Sequence, residues 1–360
     1  MEAYNNYLSI RRDVLQSNAK AVMDFMKVPV IGVVKMDGYG TGVVEAAKIW
    51  LEAGVNILAV AEPWEALAIR DAGIDTDILL MAPVADPQIL GDLLKKKVIL
   101  TVSDLQNARF YLQHKGEQAL RVHVKVDTGM GRFGIRWTDV AQLKEIYALE
   151  GISFEGIFSH FGKSFEPQFN MTKLQLERFL SAVQALQDAG IAVGMRHIAN
   201  SCAALRFPQT HLDAVRMGSA LVGALMVSVP VKLETPHVFK AKVVALKQLQ
   251  KDDTSGYALV YKAKKDTRAI VVGIGTDFGF GMTGAPDPYP VRDLLSYLYH
   301  LYLRWKNPPC AVFEGKKLPL IGRIGSQYTA FDATGCDVKP GDWVNIPIPL
   351  LNYHGKRIIE

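Results

Sequence analysis

The chain has 360 residues, 49% hydrophobic and 21% charged, which suits two globular domains better than one small one. Its formal charge of +5 comes from 41 basic and 36 acidic residues without a Lys/Arg block, so nucleic acid is not an expected partner and an anionic small molecule fits better. The three cysteines, Cys202, Cys310 and Cys336, offer no zinc-ligand spacing, and there is neither a signal-like N-terminus nor an apolar run of about 18 residues; the expectation is a reduced, cytoplasmic protein with no metal and no membrane contact.

From Val28 to about Gly223 short runs rich in Val, Ile and Leu alternate with amphipathic segments, the pattern of strand-helix repeats around a parallel sheet. The expected strands are Val30 to Lys35, Ile57 to Glu62, Asp77 to Ala82, Val98 to Ser103, Arg121 to Asp127, Phe154 to His160, Met195 to Asn200 and Ala214 to Gly218. Helical spacing recurs between them, as at Leu176, Phe179, Leu180, Val183 and Leu186 before the stop signal Gly190. Eight such units suggest an α/β fold closed as a (β/α)₈ barrel over residues 1–228; an open doubly wound sheet stays possible, because counting strands does not prove closure. A mainly β domain is expected over 229–360, with strand-like runs His237 to Leu249, Tyr257 to Lys262, Arg268 to Ile274, Leu318 to Ile324 and Trp343 to Ile348. A helical insertion near 288–306, apolar on much of Val291 to Trp305, either meets a partner or forms a core helix.

In a (β/α)₈ barrel the active site is built at the C-terminal ends of the strands. Lys35 ends the apolar run Val30 to Val34 and precedes Gly38-Tyr39-Gly40-Thr41-Gly42. A desolvated lysine there can condense with an aldehyde cofactor, although a lone strand-end lysine also suits a solvated charge. Lys125 lies among apolar neighbours in the fifth strand, where an unpaired ammonium is costly to bury. His160, Asn200, Ser201 and Arg216 end the next three strands, and each alone also suits a structural hydrogen-bonder.

Together these residues resemble the alanine racemase family. Val33-Val34-Lys35-Met36-Asp37-Gly38-Tyr39-Gly40-Thr41-Gly42 is similar to the family's cofactor-lysine motif, and Lys125-Val126-Asp127-Thr128-Gly129-Met130-Gly131-Arg132, His197-Ile198-Ala199-Asn200-Ser201 and Val215-Arg216-Met217-Gly218 follow in order. The resemblance covers residues 1 to about 225 and continues more weakly beyond. It implies a pyridoxal 5′-phosphate (PLP) enzyme that interconverts the L- and D-forms of an amino acid by two-base proton transfer. Lys35 would hold PLP and act as one base; Tyr39, Asn200, Ser201, Gly218 and Ser219 would surround the phosphate, with His160 nearby. Arg216 would face the pyridine nitrogen, and because a guanidinium keeps its proton it would leave that nitrogen unprotonated. Arg132 would meet the substrate carboxylate, oriented by Lys125 if that amine is carbamylated. Tyr257, in Thr254-Ser255-Gly256-Tyr257-Ala258-Leu259-Val260-Tyr261, matches the second base, which the family donates from a partner subunit; a head-to-tail homodimer follows.

The resemblance breaks on the substrate side. The family's Gly-Tyr-x-Asp-Gly segment is Gly275-Thr276-Asp277-Phe278-Gly279 here, and its Gly-Arg-(Val/Ile)-Cys-Met-Asp segment is Gly322-Arg323-Ile324-Gly325-Ser326-Gln327, so Thr276 and Ser326 replace bulkier groups. The family's late phosphate-binding tyrosine is hard to place, Tyr353 being a candidate substitute. A substrate larger or more polar than alanine is therefore expected. The alternatives are a PLP-dependent decarboxylase of the same fold, whose glycine triplet and Cys-x-(Asp/Glu) segment are not found at matching points, and a non-catalytic PLP-binding protein, whose likeness would stop at the barrel.

Overall fold

A computed structural model describes residues 4–166, 168–225, 227–282, 290–348, 353 and 355–360. The chain divides into one unit formed by Arg12–Pro236 and another formed by Met1–Arg11 with His237–Glu360. Sequence reading places residues 1–11 with the barrel and the boundary at 228. The grouping differs because the first strand, β1 (Asn6–Ile10), is buried along its length and pairs antiparallel with His237–Leu249 and parallel with Arg357–Ile359.

In the unit Arg12–Pro236 the strands are β2 (Val30–Val33), β3 (Ile57–Val60), β4 (Asp77–Leu80), β5 (Leu100–Val102), β6 (Arg121–Asp127), β7 (Ile135–Arg136), β8 (Ser153–Phe158), β9 (Met195–His197) and β10 (Val215–Met217). Parallel ladders run β10-β2-β3-β4 and β5-β6-β8-β9, with β7 a short addition to β6. Parallel bridges Leu79–Ile99 and His197–Ala214 join β4 to β5 and β9 to β10. The ring of eight is therefore closed, and the open sheet is excluded. Alternation in β2 sends Ile31 and Val33 into a shared cluster with Ala59, Leu79, Ile99 and Ala214, and Lys35 stands two residues past the strand's C-terminal end. Outward-facing Gly32 has room only for hydrogen, since a Cβ would lie 2.9 Å from Val55 Cγ1 and 3.6 Å from Trp50.

The helices between the strands bury one apolar stripe each. Pro87–Lys95 buries Leu90, Leu93 and Leu94; it starts at a proline and is capped by Asp86, whose carboxylate accepts the amides of Gln88 and Ile89. No helix among the described residues is long and apolar enough to cross a membrane, and no group of three or more His, Cys, Asp or Glu is placed to hold a metal ion.

The second unit continues with β11 (His237–Leu249), β12 (Thr254–Ser255), β13 (Tyr261–Lys262), β14 (Thr267–Val272), β15 (Cys310–Phe313), β16 (Lys316–Ile321), β17 (Thr329–Asp332), β18 (Trp343–Ile346) and β19 (Arg357–Ile359). Its sheet runs β14-β17-β16-β15-β18-β11 and returns to β14, because the long β11 pairs with β18 before a bulge at Val243/Ala245 and chiefly with β14 after it. The expected strand Tyr257 to Lys262 is not formed. Gly256 at φ 81°, Ala258 at 58° and Leu259 at 47° make a tight turn there, and only Tyr261 and Lys262 pair. Helix Pro290–Lys306 follows β14; residues 288 and 289 of the expected insertion lie outside the described residues. Leu294, Tyr297, Leu298, Leu301, Tyr302 and Trp305 recur at helical spacing and are all exposed, which removes the core-helix reading for that face.

Candidate active site

Lys35 follows β2 directly and opens a turn in which Met36, Asp37, Gly38 and Tyr39 all have left-handed φ values of 54–63°. Three of the four, Met36, Asp37 and Tyr39, carry a Cβ for which that region is costly, and such a run persists only where the surroundings hold it. Glu65 supplies much of that hold: fully buried, it accepts the Asp37 amide at 3.0 Å and those of Ala61 and Glu62 at 2.9 and 3.0 Å. Sequence reading missed Glu65. The available signal was the Glu62/Glu65 capping box around Pro63. Burial, then Arg132 and Arg216, lower the Lys35 amine below the ordinary lysine range, while Glu65 pulls the other way.

Tyr39 brings its hydroxyl to the loop after β10, where the Ser219 amide donates to it. Burial, then Glu65, keep the phenol protonated. Gly218 is required here, since a Cβ would lie 2.2 Å from the Tyr39 hydroxyl. Ser201 faces the same loop and accepts the amides of Gly218 and Ala220 at 3.0 and 3.3 Å. Asn200 caps helix Ser201–Arg206 with its Oδ1, which also accepts from Ser164 at 2.7 Å; its carbonyl oxygen is thus committed to the protein, and its amide nitrogen is the group left for a ligand.

Arg216 is buried in β10 and donates through Nη1 to His197 Nδ1 at 2.7 Å and to the His197 carbonyl at 3.2 Å. Its Nη2 donates to the Ser159 and Ile198 carbonyls at 2.6 and 3.1 Å and to His160 Nδ1 at 3.2 Å. Nε–H is the donor without a protein acceptor among the described residues. Burial draws the guanidinium down to about 9, which leaves it charged at neutral pH. Burial and Arg216 hold His160 and His197 neutral.

Lys125 is buried with Nζ 4.3 Å over the Phe158 ring, and no carboxylate among the described residues pairs with it. Burial, Arg216 and Arg132 bring its amine down to about 7. Arg132 extends from the loop after β6 and is exposed. Asp127 folds that loop by accepting the amides of Gly129, Met130 and Gly131 at 2.9–3.1 Å. Gln175 ties the loop to the next strand end: Nε2 donates to Thr128 Oγ1 and the His160 carbonyl at 3.2 Å each, and Oε1 accepts the Gly162 amide at 2.9 Å. Sequence reading missed Gln175 as well. Its polar side chain on a buried stripe with Leu176 and Phe179 was the clue.

Within the β unit, Tyr257 is 71% exposed at the turn described above, beside exposed Leu259 and Val260. Thr276 and Ser326 are brought together: Thr276 N donates to the Gly325 carbonyl at 3.0 Å and Asp277 N to that of Ser326 at 2.9 Å. A pocket of about 380 Å³ opens in this unit against Tyr257, with Arg323, Gly325 and Tyr328 in its wall. Tyr353 is a correction. Its hydroxyl is hydrogen-bonded to Asn6 Oδ1 at 3.0 Å and the Lys356 carbonyl at 3.2 Å, and its ring packs edge-on against Phe239, so it holds the β unit together instead of supplying a phosphate donor.

The family described as alanine racemase, N-terminal domain, matches residues 10–226. The chain belongs to the alanine racemase family. It is 33% identical to "Alanine racemase 2" of Caldanaerobacter subterraneus subsp. tengcongensis, over 92% of this chain and 81% of that one. The structure resembles alanine racemase of Bacillus anthracis with bound L-Ala-P, at 28% identity and a TM-score of 0.80 over 95% of this chain and 85% of the other. It also shares its fold with a histidine racemase of Leuconostoc mesenteroides subsp. sake, at 21% identity and a TM-score of 0.83 over 100% and 99%.

This protein is thus a PLP-dependent amino-acid racemase, an isomerase. The decarboxylase and carrier readings lose their support, the latter because the likeness to alanine racemases runs through the β unit as well as the barrel. The alanine racemase cofactor suits the residues present. A lysine amine held low sits at one end of the site, a loop kept open by Gly218 at another, and an arginine donor without a protein acceptor in the barrel core.

Proposed function

We propose that Lys35 and the Tyr257 of a second copy are the two bases, and that the preferred substrate is larger or more polar than alanine. Bound PLP, held through Lys35, supplies the electron-withdrawing ring that makes an amino acid's α-proton removable. The Lys35 amine, held below the ordinary lysine range by burial and Arg132, can take up a proton on one face, and on the opposite face a tyrosine hydroxyl gives or takes one. Arg216 offers an N–H that it cannot release, which restrains the ring as an electron sink and favours return of the proton over side reactions. Tyr39, Ser201 and Ser219 would hold the phosphate through their hydroxyls, beside Gly218, whose missing side chain leaves room for the Tyr39 hydroxyl, and with the Asn200 side-chain amide. The exposed apolar tip at Tyr257, Leu259 and Val260 supports a head-to-tail homodimer, since a partner would bury it.

The substrate reading rests on one observation: Thr276 and Ser326, small hydroxylated residues where the family has bulkier ones, are held together in the unit whose pocket adjoins Tyr257. A polar substrate side chain can satisfy such hydroxyls; a methyl group cannot. Both residues are exposed within the single chain, so the preference comes from the room and the hydrogen-bonding capacity that these small hydroxylated side chains offer a polar substrate. Steady-state kinetics over alanine, serine, lysine, ornithine, arginine, glutamate and histidine should give the highest kcat/KM to an amino acid other than alanine. Alanine at the top of the panel would refute the pocket argument.

We also propose that Lys125 is carbamylated. Its amine, at about 7, is largely unprotonated above neutral pH and can add to carbon dioxide, losing a proton to water and leaving an N-carboxylate that pairs with Arg132. Protein equilibrated with ¹³C-bicarbonate should show a carbamate carbon resonance that strengthens as pH rises through 7 and is missing from Lys125→Met. A wild-type spectrum without it, in the absence of a bound anion at that place, would remove the modification from the site.

A further inference from the structure

The interior of a (β/α)₈ barrel is ordinarily filled by branched aliphatic side chains, and burying an imidazole without a partner is costly. Here the interior holds a chain of polar contacts. Arg216 Nη1 lies 2.7 Å from His197 Nδ1, and His197 Nε2 lies 2.8 Å from His123 Nδ1. All three side chains are buried. The site already described accounts for the first of these contacts and gives no reason for the second.

We propose that His123 is a positioning residue for Arg216, which it reaches by fixing His197 in a single tautomer. A guanidinium only donates, so His197 Nδ1 must present its lone pair and the ring proton must sit on Nε2. That N–H needs an acceptor, and the atom facing it is His123 Nδ1, which fixes the second ring in the same tautomer with its proton on Nε2. Every hydrogen bond of the chain then points away from the cofactor side, and neither ring can turn without leaving two donors or two acceptors face to face. The His197 ring plane is set separately, by stacking on Phe158 with centroids 5.0 Å apart and planes 5° from parallel. Stacking leaves rotation within that plane open, and the two hydrogen bonds close it.

Two features outside the site make room for His123. Gly156 faces it from β8, where a Cβ would lie 2.6 Å from both Cε1 and Nδ1 of the ring. The β6–β8 ladder also shifts register between Val122 and His123. A side chain that merely filled the core would need neither. The inference rests on the assignment of Arg216 to the pyridine nitrogen only for its effect on the reaction; the tautomers can be tested apart from it.

The test compares His123→Asn, whose carbonyl oxygen can stand in for Nδ1, with His123→Leu, which keeps volume and loses the acceptor. Long-range ¹H–¹⁵N spectra of histidine-labelled protein, with and without PLP, should show wild-type His197 as one neutral tautomer, protonated on Nε2. That signature should persist in His123→Asn and give way to a shifted or mixed pattern in His123→Leu. In the holoenzyme His123→Leu should lower kcat about ten- to a hundredfold with little change in KM and raise the fraction of turnovers lost to transamination, with His123→Asn recovering most of both. Wild-type His197 protonated on Nδ1 overturns the proposal whether or not any variant folds. Tautomers that behave as expected beside an unchanged kcat and side-reaction fraction in His123→Leu overturn its link to Arg216.

Discussion

Lys35→Ala is expected to abolish racemisation, lowering kcat/KM by about 10⁴-fold or more, while leaving the barrel folded. The side chain ends at the mouth of the ring, so its loss opens no core cavity of the kind that costs several kcal/mol. What disappears is an amine that burial and two guanidinium groups hold below its ordinary range, hence one available both for covalent attachment and for proton transfer. Borohydride reduction of the wild-type holoenzyme followed by peptide mapping should place the pyridoxyl group on Lys35. A label on another lysine, or a Lys35→Ala variant that still racemises within tenfold of wild type, would remove this residue from its role.

The second large effect is expected at Tyr257. Tyr257→Phe removes one hydroxyl from a side chain that is 71% exposed, so stability should barely change, yet racemisation should fall by about 10²–10⁴-fold. In deuterated solvent the variant should still exchange the α-hydrogen of one enantiomer, through Lys35, and lose exchange of the other. The shared-site arrangement makes a further quantitative demand. When Lys35→Ala and Tyr257→Phe chains are mixed and allowed to reassociate, half of the dimers are hybrids with one intact site, and activity should return to about a quarter of wild type. If the mixture stays inactive despite hybrid formation, Lys35 and Tyr257 do not meet across a head-to-tail dimer.

Much of the barrel is legible in the sequence because parallel strands buried on both faces must be continuous apolar runs, and all eight expected runs overlap strands of the ring. Closure is not legible, since it depends on the bridges Leu79–Ile99 and His197–Ala214, which no local pattern encodes. The segment Tyr257 to Lys262 misleads for a local reason: Tyr, Leu, Val and Tyr favour a strand by propensity, but Gly256 and two further left-handed residues turn the chain. In the site, motif residues such as Lys35 and Arg216 could be named from sequence order. Glu65, Gln175 and the pair His123/His197 act across strand and helix boundaries, where spacing along the chain carries little information. Tyr353 shows the opposite error, a residue type that suits a ligand role but whose hydroxyl the fold uses against Asn6.

The placement of β1 has a bearing on how the polypeptide reaches this state during synthesis. Its partners in the β unit come from β11 and from Arg357–Ile359, near the far end of the chain, whereas the barrel is one uninterrupted stretch, Arg12–Pro236. Domains generally fold as units as they leave the ribosome. The barrel, and with it the lysine turn and the histidine chain, can therefore close while β1 is still unpaired, and the β unit that carries Tyr257 matures last. A nascent chain stalled before β11 would hold a complete set of barrel residues and lack Tyr257, so under the proposed two-base scheme cofactor capture would precede catalytic competence in time.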